Sequence, residues 1–319
     1  MWHELIASFN FAVSITLPSI LLLLFGLFLF RSGQIDGAFC HKASRLMFNW
    51  ALPALLFFSI MESRIDITAQ SKLLLAGAIC ALVLFIGAEI AAKFLIKNRR
   101  DRCIFVQGIY RGNTAIIGVA FCAQAYGAEG LAAGAIFTGV LTLLFNILAV
   151  ITLNRSLGDD GKNHLAPMIM NIIKNPLIIA IISAFICRIM SFRLPESLTH
   201  SGHDLASMAL PLALLCIGAT FDMKSLLHRS NSALIISILR VTVAPAAAVL
   251  IALAFGFRSL SFGVLVLMNV TPVATATYVM VKAMGGNDVM TANIIGITTV
   301  LSMLTASLWI TVLHSAGLM

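Results

Sequence analysis

Long apolar runs alternate with short polar connections along the chain, and this pattern sets the architecture before any motif is considered. The runs fall at about 9–30, 44–61, 73–96, 103–125 and 131–153, then at about 175–190, 205–221, 233–256, 260–283 and 290–313, with ends good to a few residues. Most approach the roughly 20 apolar residues that an α-helix needs to cross a bilayer. The pattern predicts ten transmembrane helices and no separate soluble domain. The longest connection, Asn154 to Lys174, carries the turn-rich Gly158-Asp159-Asp160-Gly161-Lys162-Asn163 and divides the chain nearly in half.

Composition agrees with the pattern. Of 319 residues, 60% are hydrophobic and 11% charged, and mean hydropathy is +1.00. Soluble domains are nearer half apolar and a quarter charged, so lipid must solvate much of this surface. The net charge of +8 would raise the question of nucleic acid on a soluble domain. Here it reads as the excess of Lys and Arg in cytoplasmic loops. With the N-terminus outside, the cytoplasmic connections hold fourteen Lys and Arg, among them Lys97, Arg99, Arg100 and Arg102, and the outer connections hold five. Both termini are therefore expected outside a bacterial inner membrane. Met1-Trp2-His3-Glu4 has no basic residue ahead of the apolar run, so the first span is expected to be retained rather than cleaved as a signal peptide. The six cysteines have no metal-like spacing and are expected as buried thiols.

The halves repeat. Pro18 and Pro176, and Pro53 and Pro211, are separated by the same 158 positions, and Ala51-Leu52-Pro53 recurs as Ala209-Leu210-Pro211. Residues 1–153 and 154–319 thus form two five-span units. Because five is odd, the second unit inserts upside down relative to the first. Inverted repeats of this kind characterise secondary transporters, which place their site at interrupted helices near the midplane. Two interruptions occupy the same place in the repeat. The fourth span contains Gly108-Ile109-Tyr110-Arg111-Gly112-Asn113-Thr114, and the ninth contains Asn269-Val270-Thr271-Pro272-Val273-Ala274-Thr275. Pro272 lacks an N–H and Gly112 opens helical backbone at low cost. Such breaks survive in a membrane only where protein or a water-filled cavity satisfies the freed backbone groups. Half-helix N-termini expose donors and favour an anion. The alternative for each break is a simple kink.

These residues resemble a known family. Arg111-Gly112-Asn113-Thr114-Ala115-Ile116-Ile117-Gly118 looks like the fourth-helix motif of the auxin efflux carrier family, in its bacterial branch of malate- and malonate-permease-like transporters. Leu52-Pro53-Ala54-Leu55, Lys174-Asn175-Pro176-Leu177, Pro211 to Ala219, Leu239-Arg240 to Pro245 and Thr271-Pro272 extend the resemblance over nearly the whole chain. It implies an all-α integral membrane protein of ten helices, similar to bile-acid symporters and antiporters. Helices one, two, six and seven would form a scaffold, and helices three to five and eight to ten a mobile transport part, with helices four and nine crossing at the substrate site. The chain lacks both the long central loop of many plant members and an Asn-Pro-Asn crossover, so auxin itself is a poor guess.

The expected function is secondary transport of small organic carboxylates by alternating access. Asn113, Thr114, Gly112, Arg111 and the backbone of Thr271, Pro272, Val273 and Ala274 would hold the anion. Leu52, Pro53, Leu210 and Pro211 would line the scaffold side. Ionisable groups at membrane depth are candidates for function by default. Glu89 could pair with Lys93 one turn on, pair with Arg111, or carry a coupling proton. Arg111 could equally bind a carboxylate bidentately. Arg240 is a second candidate for coupling, or satisfies carbonyls or an acid structurally. His200 and His203 read as a solvated outer-loop pair, and segment 31–47 as partly interfacial. The expected partners are the anion, the bilayer, protons and a second copy of the chain. No cofactor, metal, nucleic acid or enzymatic chemistry is expected. A cation/proton antiporter, a channel and a non-transporting membrane sensor on the same fold are the rivals.

Overall fold

The computed structural model describes residues 2–62, 67–157, 176–190, 192, 194–219 and 231–319. The central turn-rich stretch, Lys162, Lys174, Arg64, Arg193, Asp222, Lys224 and Arg229 lie outside the described residues. The described regular elements are helical: α1 (Trp2–Arg31), α2 (Gly37–Leu46), α3 (Leu52–Glu62), α4 (Ile67–Leu95), α5 (Arg99–Tyr110), α6 (Val119–Leu157), α7 (Pro176–Ile189), α8 (Glu196–Ser207), α9 (Ala209–Ala219), α10 (Asn231–Ala254), α11 (Ser259–Asn269), α12 (Thr275–Ala283) and α13 (Asp288–Ser315).

Seven helical stretches among the described residues are long and apolar enough to cross a membrane. They differ from the predicted runs in instructive ways. The stretch Thr114–Leu157 covers 44 residues. Straight, it would measure about 66 Å at 1.5 Å per residue, about twice the hydrocarbon thickness. Gly127 interrupts it with φ 58 and ψ −138, a conformation open to glycine and not to ordinary residues. The predicted fourth and fifth spans meet there. Pro176–Ile189 and Ser259–Asn269 are apolar but shorter.

Two helices begin before the apolar runs that predict them, which places His200 and His203 on a helix rather than in a loop. Segment 37–46 is the helical start of the second apolar stretch, Gly37–Met61, which continues through a wider turn at Met47–Ala51. Asp36 caps its N-terminus by accepting from the Phe39 amide at 2.6 Å. His200 and His203 likewise belong to helix α8 at the start of Glu196–Ala219, and His203 packs on Phe58 with ring centroids 4.7 Å apart. Polar residues can begin a helix that becomes apolar after two turns, and an apolar-run search starts such a helix too late.

Helix α1 packs along α9 and α13, while α3 packs on α7 and α8. At the α1–α9 contact the backbones touch. A Cβ at Gly26 would overlap the Leu215 carbonyl, and one at Gly218 would overlap the Leu23 carbonyl. Small residues permit such approach where apolar lipid provides no drive for helices to associate. A second set of contacts joins α4, α5, α6, α10, α11 and α13. The six thiols are free and five are buried, as expected.

Candidate functional site

Helices α5 and α11 both stop in mid-structure, and the extended segments that follow them cross. Gly112 and Val273 form an antiparallel bridge. The Asn113 amide donates to the Pro272 carbonyl at 2.8 Å, and the Ala274 amide donates to the Arg111 carbonyl at 3.0 Å. Opposed residues of this kind lie at the closer of the two antiparallel spacings. Glycine at 112 leaves room for the Arg240 guanidinium and the Thr271 hydroxyl, which a Cβ there would overlap.

Breaking two helices inside a core frees carbonyls and amides that must find partners. Arg240, fully buried on α10, takes three of the carbonyls. Its Nε donates to the Thr271 carbonyl at 2.9 Å, Nη1 to the Ile109 carbonyl at 2.8 Å, and Nη2 to the Asn269 carbonyl and Thr271 hydroxyl, both at 3.2 Å. One guanidinium therefore holds the C-terminal ends of both half-helices, where the helix dipole is negative. The Val273 amide is satisfied by the Thr298 hydroxyl of α13 at 3.2 Å.

The opposite ends of the break face open space. A cavity of about 420 Å³ is lined by Arg111, Asn113, Thr114 and Ala115 from the first break and by Ala274, Thr275 and Ala276 from the second. Phe48, Asn49, Thr142, Phe145, Asn146, Pro176 and Leu177 complete the wall with Gly112. The residues on either side of the crossover are thus the opening turns of the two continuing helices. The first hydrogen bond of the segment after Asn113 runs from the Gly118 amide to the Asn113 carbonyl at 3.1 Å. Amides in a first turn have no acceptor within their own helix, and the dipoles leave both N-termini partly positive.

Arg111 adds a full charge. Its side chain is buried and donates to Asn146 Oδ1 at 2.6 Å, Gln107 Oε1 at 3.3 Å and Met280 Sδ at 2.8 Å. All three partners are uncharged. Among the described residues no Asp or Glu lines the cavity. Glu89 corrects the sequence expectation: it pairs with Arg155 at 3.3 Å, not with Lys93 or Arg111. Its reach to α6 is a tertiary contact that spacing along α4 cannot disclose.

The cavity thus brings together five of the expected site residues, Arg111, Gly112, Asn113, Thr114 and Ala274. Thr271, Pro272 and Val273 are buried in the crossing itself, and Leu52, Pro53, Leu210 and Pro211 are not among the lining residues. The neighbours Phe48, Asn49, Pro176 and Leu177 line it instead. Sequence reading also passed over Asn146 and Thr142, polar residues in an apolar run and one turn apart on the face of α6 that lines the cavity. Polar groups in membrane helices generally face the bundle interior, which is the signal that finds them.

Comparisons with known proteins point to transporters. Residues 163–310 match a family model described as membrane transport protein. The chain is 26% identical over 313 residues to an uncharacterized transporter of Methanothermobacter thermautotrophicus, covering 93% of this chain and 97% of that protein. It is also 26% identical over 306 residues to an uncharacterized transporter of Methanocaldococcus jannaschii, with the same coverage. The resemblance read from the motifs is borne out: the second half of the chain carries the signature of the membrane transport protein family, and nearly its whole length is similar to transporters.

Proposed function

We propose that the chain is a secondary active transporter of small organic anions, carboxylates such as malate, malonate or auxin-like acids, working by elevator-type alternating access. The observation that carries this reading is the cavity at the crossover. It is lined by one buried guanidinium without a carboxylate partner among the described residues and by the first turns of two half-helices. A site of that composition stabilises negative charge. A cation carrier would need acids there, and the lining holds none among the described residues.

In this reading the ten predicted spans form two inverted repeats, residues 1–153 and 154–319. The wider turn at 47–51 and the turn at Met208 support it, since Trp50 and Met208 are separated by the same 158 positions as the paired prolines. The helices around α1, α3, α7 and α9 serve as scaffold. Those around α4, α6, α10 and α13 move with the crossover, carrying Asn113, Thr114 and the backbone of Ala274 past Phe48, Asn49, Pro176 and Leu177. Both termini lie outside the inner membrane. Glu89, half-buried beside Arg155, is the group that would carry a coupling proton.

A thermal-shift screen of monocarboxylates, dicarboxylates and amines on the purified protein, followed by proteoliposome uptake of the hit, tests the proposal. Stabilisation by at least one acid is expected, with its uptake lost in Asn113→Ala. Stabilisation by amines and by no acid would overturn the anion assignment.

A further inference from the structure

Arg111 must be held in place while the cavity is empty and yet be able to take an anion. Its hydrogen bonds identify the group that holds it. Its shortest oxygen contact is with Asn146 Oδ1, at 2.6 Å, and both residues line the cavity. The other two partners, Gln107 Oε1 and Met280 Sδ, are also uncharged. Among the described residues no salt bridge reaches this guanidinium.

We infer that Asn146 is the positioning residue of the anion site: its amide oxygen occupies the place that a ligand carboxylate oxygen takes, and its neutrality is what leaves Arg111 available. This rests on the anion reading above and deepens it. A carboxylate adds the attraction between opposite full charges and can accept two parallel N–H bonds from a guanidinium, whereas an amide offers one neutral oxygen. An incoming carboxylate therefore displaces the amide oxygen and inherits its geometry. A carboxylate built into the protein at position 146 would form a permanent pair with Arg111, and a second anion would gain little by entering. Asparagine keeps the guanidinium oriented without neutralising it.

Thr142 strengthens the assignment. It lies one helical turn before Asn146, and it lines the same cavity. With Phe145 beside them, this stretch of α6 offers a polar edge next to an aromatic ring. A ligand bound at Arg111 would meet both.

The test compares Asn146→Ala with Asn146→Asp in the full-length protein reconstituted in nanodiscs. Phenylglyoxal, which reacts with arginine, reports the state of Arg111 by mass spectrometry without any knowledge of the substrate. Malonate is the anion probe, and its protection of Arg111 is read in the same assay. Modification of Arg111 is expected to be about tenfold slower in Asn146→Asp than in the native protein, and at least as fast as native in Asn146→Ala. Malonate protection is expected in the native protein and absent in Asn146→Asp. Equal modification rates in the native and Asp variants, or slowing in both variants alike, would overturn the positioning role. If malonate fails to protect native Arg111 while the two variants still diverge as stated, the positioning role stands and malonate is removed from the anion reading.

Discussion

Two arginines sit on opposite sides of the crossover, both buried in apolar surroundings, and their partners differ in kind. Arg240 is bonded to the carbonyls of Ile109, Asn269 and Thr271 and to one hydroxyl. Its acceptors are mainly backbone, fixed by the ends of two helices. Arg111 is bonded to an amide side chain on the preceding helix α5, another on α6 and a thioether on α12. These acceptors are side chains, which can rotate away. The same residue type thus closes the fold on one side and faces a cavity on the other. The lesson is that a buried charge is structural or functional according to whether its partners can be displaced.

The largest effect is expected from removing the closed side. Arg240→Met leaves several helix-end carbonyls buried without donors, and each such group costs about 1–3 kcal/mol. Loss of monodisperse folded protein, or a melting temperature far below native in detergent, is the expected result. Next comes the point where the two breaks touch. Gly112→Ala pushes a methyl group into Arg240 and Thr271, and overpacking of this kind costs about 1–3 kcal/mol, measurable by thermal unfolding. A native melting temperature in both variants would erase the proposed distinction between the two arginines.

The open side should behave in the opposite way. Arg111→Gln removes a buried charge whose partners among the described residues are neutral, so folding is expected to be unchanged or improved by about 1 kcal/mol. Anion binding, measured by thermal shift, is expected to vanish. The smallest effect belongs to Glu89→Gln. Its partner Arg155 is 57% exposed, and exposed pairs contribute about 0–1 kcal/mol. A large loss of stability there would show that the Glu89–Arg155 contact anchors the bundle rather than decorating its edge.

The chain's patterning disclosed the helical class, the two breaks and four residues of the first break that line the cavity. Proline, glycine and arginine stand out in apolar runs because each has a local cost that must be met. What remained hidden was tertiary. Glu89 could be matched to Lys93 along its own helix, yet its partner Arg155 comes from α6. Asn146 is a polar residue in an apolar run, and only the fold sets it 2.6 Å from Arg111. Leu52 and Pro53 do not line the cavity, whereas Phe48 and Asn49, about one turn earlier, do. The wider helical turn at 47–51 alters which residues share a face, and periodicity along a regular helix carries no record of it. At the α1–α9 contact, Gly26 and Gly218 are legible as small residues, but that they face one another is known only from the fold.

Counterflow of a labelled carboxylate in proteoliposomes, native against Arg111→Gln, addresses the central claim most directly. The native protein should exchange at least one small carboxylate saturably, and Arg111→Gln, equally well folded, should not. Exchange of that carboxylate at the native rate by Arg111→Gln would contradict the assignment of the crossover cavity as the anion site.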